Sequence, residues 1–272
     1  MPTYRLAVPF IILFLLGIYL TYEVSSSWSF LIIIGMVALV AGFILAPQIN
    51  WWWWERFPPD IPPELQKLLT DRHPFYRNLS ATEQREFRRR VFLFNQGNNF
   101  MPQGMEDVPP DAQLMIAVAP VTLTFREPVF LFDNFENIVL YPHDFPSPQF
   151  PEQFHASEIY EPDGVVMFCF KHVASGFLQP GQYLNPAWYE YARIFRINYP
   201  GYDYGDWSGV SWTDLEAISQ FPHAALQRWI GLPELDLTAM GIAHYFLFPT
   251  NFQRQLPEIY HRLQSVFSIK NN

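Results

Sequence analysis

Two long apolar runs without a single charge lie near the start of the chain. They cover residues 6–22 and 28–46, and only the five residues 23–27 separate them. A helix needs about 17–25 apolar residues to cross the hydrocarbon core of a bilayer, so both runs are long enough. Because the connection is so short, residues 1–50 are predicted to form a hairpin of two membrane-spanning helices. The lipid bilayer is therefore a predicted partner.

The first run has an alternative interpretation as a cleaved signal peptide, because Arg5 supplies a short basic region before it. The second run could instead be a buried core helix, although its Ile, Leu and Val residues continue around the whole helix. For the hairpin, Arg5 is the only positive side chain before the first span, and Glu23 is the only charge in the loop. Counting positive charges then predicts that the amino terminus and the rest of the chain lie in the cytoplasm.

Residues 51–66 are predicted to be a juxtamembrane linker. Four consecutive tryptophans, 51–54, follow the second run, and residues 57–66 contain four prolines, which stiffen a chain. The tryptophans suit an aromatic belt at the membrane surface, or alternatively pack against a folded domain. Residues 67–272 are predicted to form one soluble domain.

Charge and cysteine content exclude several classes of function. The formal net charge of −9 argues against a nucleic-acid binder, which needs a basic surface to displace counterions. Six arginines between Arg72 and Arg90 form a local basic segment, which either contacts anionic lipid headgroups or is an ordinary solvated helix face. The single cysteine, Cys169, excludes an internal disulfide and a thiolate-rich zinc site.

The soluble domain carries signals for both helices and strands. Ser80 and Glu83 form a capping box that predicts a helix to about residue 95, and Asp111 is expected to cap an apolar helix. Strand composition occurs at residues 137–141 and 165–170. Further helices are predicted near residues 185–197, 212–229, 235–248 and 256–268. The predicted class is α+β, a small sheet flanked by helices.

The order of these segments resembles a known family. The segments that carry the resemblance are RNLSATEQREFRRRVFLFNQGNNF, AQLMIAVAPVTLTF, NIVLYPHDF, DGVVMFCFKHV, NPAWYEYARIF and AHYFLFPTNFQRQLPEIYHRLQSVF. In this order and spacing they resemble the Mlc titration factor A family of zinc-dependent peptidases, over about residues 70–268. The resemblance implies a zincin-like metallopeptidase fold and, in active members, a zinc cofactor.

The resemblance also indicates where the zinc site of that family would fall. Active members carry His-Glu-Phe-Ala-His on a helix, where two histidines at i and i+4 bind the metal and the Glu acts as base. The matching stretch here has Glu190 at the position of the base, but Tyr189 and Arg193 at the two histidine positions. The third ligand position falls near Leu237. A guanidinium stays protonated and has no lone pair to offer a metal, so this site is predicted to hold no metal.

No other residue pattern replaces the missing site. No two of the seven histidines lie at i,i+3 or i,i+4, and no nucleophile elbow of the form G-x-S-x-G occurs. Cys169 lies inside the apolar run VVMFCF and is expected to be buried and inert, although a pair with His172 is conceivable. Each histidine is interpreted as a surface or structural residue.

These features predict a membrane-anchored pseudo-peptidase without a cofactor, in which a vestigial Glu190 pairs with Arg193 and Tyr189 closes the pocket with its hydroxyl. Its predicted work is to bind an unidentified protein or peptide in the former substrate cleft. One alternative is an active zinc peptidase with atypical ligands, so enzymatic activity is left open. A second alternative is a structural or assembly component of the membrane.

Overall fold

A computed structural model describes residues 2–267 of the chain. The chain divides into two compact units, and the division falls after Pro59, inside the predicted linker. The predicted domain limit of residue 272 and the predicted helix end at residue 268 lie outside the described residues.

The first unit consists of helices. Helix α1 spans Pro2–Glu23, a short 3-10 turn covers Ser26–Trp28, α2 spans Ser29–Ile44 and α3 spans Ala46–Arg56. The first helix, and the second together with its 3-10 turn, are 22 and 19 residues long, and both are apolar enough to span a membrane. Most of their large apolar side chains are exposed, which is the reverse of the pattern in a water-soluble helix.

Two glycines let α1 and α2 approach closely. A Cβ atom at Gly17 would lie 2.8 Å from the backbone nitrogen of Ile32, and one at Gly35 would lie 2.9 Å from Cβ of Phe14. Small residues at helix contacts are typical of packing inside membranes, where apolar burial alone does not drive association. At the open end of the hairpin, Thr3 and Asn50 join α1 to α3, with 2.5 Å between Oγ1 and Oδ1.

The predicted linker is partly helical. Residues 51–56, including the four tryptophans, belong to α3, and Pro63 starts helix α4, Pro63–Arg72. Proline fits the first turn of a helix because the amide it lacks would have no intrahelical partner there. Only residues 57–62 are therefore free of helix. Within this unit, Trp53 and Trp54 line a cavity with Arg5 and Leu6.

The second unit is an α+β domain, as predicted. After α4, its helices are α5 (Pro74–Asn78), α6 (Ala81–Gly97), α7 (Pro110–Leu123), α8 (Phe170–Leu178), α9 (Pro186–Asn198), α10 (Trp212–Ser219), α11 (His223–Ile230), α12 (Leu237–Leu247), α13 (Pro249–Gln255) and α14 (Pro257–Phe267). Its strands are β1 (Asn99–Pro102), β2 (Asn137–Tyr141), β3 (Ser157–Tyr160) and β4 (Val165–Cys169).

Within the described residues the strands form one mixed sheet in the order β1-β2-β4-β3. Strands β1, β2 and β4 are parallel, and β3 runs antiparallel to β4 at the edge. Helix α7 is buried along nearly its whole length and packs against α6 and α9. Helix α9 in turn contacts α12 and the two strands β3 and β4. This arrangement places one face of α9 against the edge of the sheet.

Several predicted elements need correction. Asp111 is not the cap of α7, because the helix already begins at Pro110 and Asp111 lies in its first turn, where a carboxylate is also favourable. The predicted helix 212–229 is two helices, since Gln220 adopts a left-handed conformation (φ 63°) and Pro222 follows it. Residue 170 begins α8 instead of ending a strand. The capping box at Ser80 and Glu83 is confirmed.

Arginines of the basic segment, residues 72–90, contact other residues of this domain. Arg88 binds Asp60 at 2.7 Å, and Arg90 binds Glu86 at 2.8 Å. Arg90 also donates to the backbone carbonyl oxygens of Thr124 and Glu127. These two guanidinium groups therefore hold the end of α7 and the segment before α4 against α6.

Candidate functional site

Helix α9 carries three of the four predicted site positions. Asn185 caps it, with its side-chain oxygen accepting from the backbone N–H of Ala187 at 2.9 Å, and Pro186 occupies the first turn. Residues 186–192 are all buried. Tyr189, Glu190 and Arg193 consequently have fixed positions on a helix that packs on several sides.

Glu190 is the buried centre of the site. Its side chain is 0% exposed, and each carboxylate oxygen has a donor. Oε1 accepts from the hydroxyl of Ser157 at 2.7 Å, and Oε2 accepts from Nη1 of Arg193 at 2.8 Å. Burial raises the pKa of Glu190 above its ordinary value, while Arg193 and Ser157 oppose this shift. The predicted ion pair between Glu190 and Arg193 is confirmed.

Arg193 and Tyr189 cover Glu190 from one side. The Arg193 side chain is 28% exposed, and its guanidinium carbon lies 5.7 Å from the centre of the Tyr189 ring. The Tyr189 hydroxyl accepts a hydrogen bond from the backbone N–H of Asp236 at 3.0 Å. Burial raises the pKa of Tyr189, so the phenol stays protonated at neutral pH.

The fourth predicted position, Leu237, is the first residue of α12 and directly follows Asp236, whose backbone N–H binds Tyr189. Asp236 caps this helix, because its Oδ1 accepts from the backbone N–H of Ala239 at 3.0 Å. Its other oxygen binds Arg196 at 2.6 Å. The tertiary structure thus brings all four predicted positions into one place, although they come from two separate segments.

These side chains do not fit a zinc ion. Leu237 has no donor atom, the phenol of Tyr189 stays protonated, and Arg193 places a positive charge against Glu190. The Glu190 carboxylate is already satisfied by Ser157 and Arg193. The side chains at these positions therefore lack the donor atoms that a zinc ion would need in an active peptidase.

Sequence reasoning missed the contribution of strand β3. Ser157 and Glu158 lie on this four-residue edge strand, whose composition gave no strand signal. Glu158 is 2% exposed; its Oε2 pairs with Nε2 of His155 at 2.7 Å, and its Oε1 has no hydrogen-bond partner among the described residues. His155, interpreted from sequence as a surface or structural residue, is buried in this pair.

A cleft of about 560 Å³ opens beside α9. Its walls include Glu158 from β3, Tyr189 and Arg193 from α9, and Glu234 and Asp236 from the segment before α12. The lining contains three carboxylates and one guanidinium, so it is acidic, although Asp236 also pairs with Arg196 and Glu158 with His155. Because the Glu190 carboxylate is buried behind Arg193 and Ser157, the acidic character of the cleft comes from Glu158, Glu234 and Asp236.

A second polar cluster lies where the parallel strands β2 and β4 end. One donor atom each from Asp144, Cys169 and His172 lies within 4.8 Å of the other two, a grouping that could hold a metal ion. Sequence reasoning treated Cys169 as inert and discounted its pairing with His172. It could not detect Asp144 as a neighbour, because the pairing of β2 with β4 brings this residue close.

The family model for the glucose-regulated metallo-peptidase M90 matches residues 50–186, half of the chain. The chain belongs to this family. The predicted resemblance to the zinc-dependent Mlc titration factor A peptidases is thereby confirmed. The family match covers the sheet and α4 to α8, and it ends at the first residue of α9, three residues before Tyr189.

This chain is also similar to a curated protein of a cyanobacterium. It is 25% identical over 136 residues to the uncharacterized protein slr2042 of Synechocystis. The match covers 50% of this chain and 46% of the relative, so the chain spans about half the length of the curated relative it matches. The metallopeptidase-like character of the domain rests on the family match.

Proposed function

We propose that this M90 family member is a membrane-anchored pseudo-peptidase that holds a polypeptide in its cleft without cleaving it. The observation that carries the proposal is the ion pair between Glu190 and Arg193. A general base must accept a proton from a metal-bound water, and Glu190 instead accepts from Ser157 and Arg193. In the proposed zincin-like arrangement, Arg193 supplies the positive charge that a metal would provide.

The cleft favours a ligand with a basic side chain. Among the residues that line the cleft, Glu158, Glu234 and Asp236 outnumber the one cation, Arg193, and one oxygen of the buried Glu158 has no partner in the described part of the chain. A buried acceptor without a donor is costly, and a ligand donor would relieve that cost. A lysine or arginine side chain of a bound polypeptide offers both the donors and the opposite charge.

Membrane anchoring is the second part of the proposal. The two apolar helices α1 and α2 would span the bilayer, and the single Arg5 before them would keep the amino terminus in the cytoplasm. After two crossings the M90 domain would also lie in the cytoplasm. A reporter fused after Asn272 should be active on the cytoplasmic side, and activity only in the exported compartment would overturn this topology.

Catalysis and binding are tested on the full-length protein in detergent micelles. We expect no cleavage of a quenched fluorogenic peptide, with or without added zinc, and no difference between the wild type and Glu190→Gln. Cleavage that disappears in Glu190→Gln would instead support the active peptidase with atypical ligands.

Binding is measured with the labelled peptide acetyl-Ala-Arg-Ala-amide, and the matched peptide contains norleucine in place of arginine. We expect the arginine peptide to bind more tightly, and Glu234→Gln to weaken it, whereas the exposed control Glu258→Gln should leave it unchanged. Equal affinity for both peptides would contradict the acidic cleft as the binding site. Full function of a chain whose M90 domain is deleted would favour the structural membrane component.

A further inference from the structure

The end of strand β4 and the loop after β2 bring three different donor atoms together. Cys169 is the last residue of β4 and is paired in register with Tyr141, the last residue of β2. Asp144 follows Tyr141 by three residues, and His172 follows Cys169 by three residues in the first turn of α8. Because parallel strands end at the same edge of a sheet, both following segments meet there.

Distances in this cluster suit a small cation. Nε2 of His172 lies 2.8 Å from Oδ1 of Asp144, and the donor atoms of all three residues lie within 4.8 Å of one another. In a tetrahedral zinc site, bond lengths of about 2.0–2.3 Å place the donors about 3.4–3.8 Å apart. The 2.8 Å between Nε2 of His172 and Oδ1 of Asp144 is shorter than this spacing, so these two atoms must separate by about 0.6 Å around an ion, and the half-exposed Asp144 side chain allows that movement.

Burial holds two of the donors in place and leaves the third open to solvent. Cys169 is 0% exposed, and its sulfur lies 3.9 Å from the carbonyl oxygen of Pro142. His172 is 6% exposed and packs at a tilt against Trp229, with 4.0 Å between ring centres. The Asp144 side chain is 47% exposed, so an ion and a water molecule can enter from that side.

The imidazole of His172 also has hydrogen-bonding capacity to spare. Its Nδ1 has no hydrogen-bond partner in the part of the chain that the structure describes. If Nε2 binds a cation, the ring proton can reside on Nδ1 without breaking an existing bond.

We propose that Cys169, His172 and Asp144 form a binding site for a divalent cation of the zinc class, separate from the positions on α9. Sulfur, imidazole nitrogen and carboxylate oxygen are the ligands of zinc, whereas magnesium and calcium prefer oxygen alone. Three protein ligands leave the fourth tetrahedral position to water. The cation replaces the proton of the Cys169 thiol and binds the resulting thiolate.

The test uses the full-length protein in detergent, stripped with a chelator and titrated with cobalt(II) alone. Cys169 is the single cysteine of the chain, so a thiolate-to-cobalt charge-transfer band reports only this site. We expect one cobalt per chain, the band in the near ultraviolet, and loss of the band when zinc is added. Absence of the band at millimolar cobalt would overturn the proposal.

Variants separate this site from other metal binding. We expect Cys169→Ser to abolish the band and Asp144→Asn to weaken cobalt binding by at least about tenfold, the loss that even outer-shell changes cause. The exposed control His261→Gln should bind as the wild type does. Unchanged affinity in Asp144→Asn would contradict the site, and this half-exposed substitution remains informative if Cys169→Ser fails to fold.

Discussion

The two polar clusters of the M90 domain differ in how their charged side chains are buried and paired. Around Glu190, the carboxylate is fully buried and each oxygen has a donor from Ser157 or Arg193. Around Cys169, the carboxylate of Asp144 is half exposed, and the sulfur of Cys169 lies 3.9 Å from the carbonyl oxygen of Pro142. The first cluster neutralises itself, and the second retains donor atoms for a ligand. A cluster of polar residues thus indicates binding capacity only after its internal partners are known.

The largest effect is expected from Arg193→Ala. It leaves the Glu190 carboxylate buried without its charge partner, and removal of one member of a buried pair costs about 3–5 kcal/mol. Since Arg193 is 28% exposed, we expect a loss of about 3 kcal/mol in the free energy of unfolding. Chemical denaturation measures it against the exposed control Arg254→Ala. Equal stability of the two variants would show that the cluster does not depend on the ion pair.

The next effect is expected from Ser157→Ala, which removes the second donor to Glu190. A hydrogen bond to a charged group contributes about 1.5–3 kcal/mol, so this variant should lose about 2 kcal/mol of unfolding free energy. Ser265→Ala, at an exposed serine of α14, serves as the matched control. If Ser157→Ala and Ser265→Ala have the same unfolding free energy as the wild type, the hydrogen bond from Ser157 does not stabilise the Glu190 carboxylate.

A smaller effect is expected from pH. Because burial raises the pKa of Glu190 above its ordinary 4.5, the folded state favours the protonated carboxyl. The stability from this group is complete below about 4.5 and is lost as the pH rises through the folded pKa. The side chain of Glu190→Gln cannot ionise. As the pH rises, the unfolding free energy of this variant should therefore increase relative to that of the wild type. Parallel curves from denaturation at a series of pH values would refute this.

The smallest effect is expected from Asp144→Asn in the metal-free protein. Its partner His172 is at 2.8 Å, but the Asp144 side chain is 47% exposed, and such surface pairs contribute about 0–1 kcal/mol. We expect a change below about 1 kcal/mol in the same denaturation experiment. A loss as large as that of Arg193→Ala would make this cluster structural and remove the contrast with Glu190.

Local patterns in the sequence predicted the elements that carry strong signals. The two charge-free runs, the capping box at Ser80 and the strand at 137–141 depend on neighbouring residues, and the structure has all of them. The family resemblance and the pairing of Glu190 with Arg193 also followed from spacing, since residues three apart on a helix face each other.

Only the tertiary structure decided which residues complete each cluster. Ser157 reaches Glu190 across 33 positions, and Asp144 reaches His172 because β2 and β4 pair in parallel. Such contacts depend on strand order and register, which local composition does not encode. Strand β3 has only four residues, too few for a recognisable strand pattern in the sequence. The sequence by itself therefore determined the apolar hairpin and the α+β class, and the ligand positions stay a prediction that the family resemblance implies. Long-range pairing of strands decided that Glu190 is satisfied and that Cys169 lies beside two further donors.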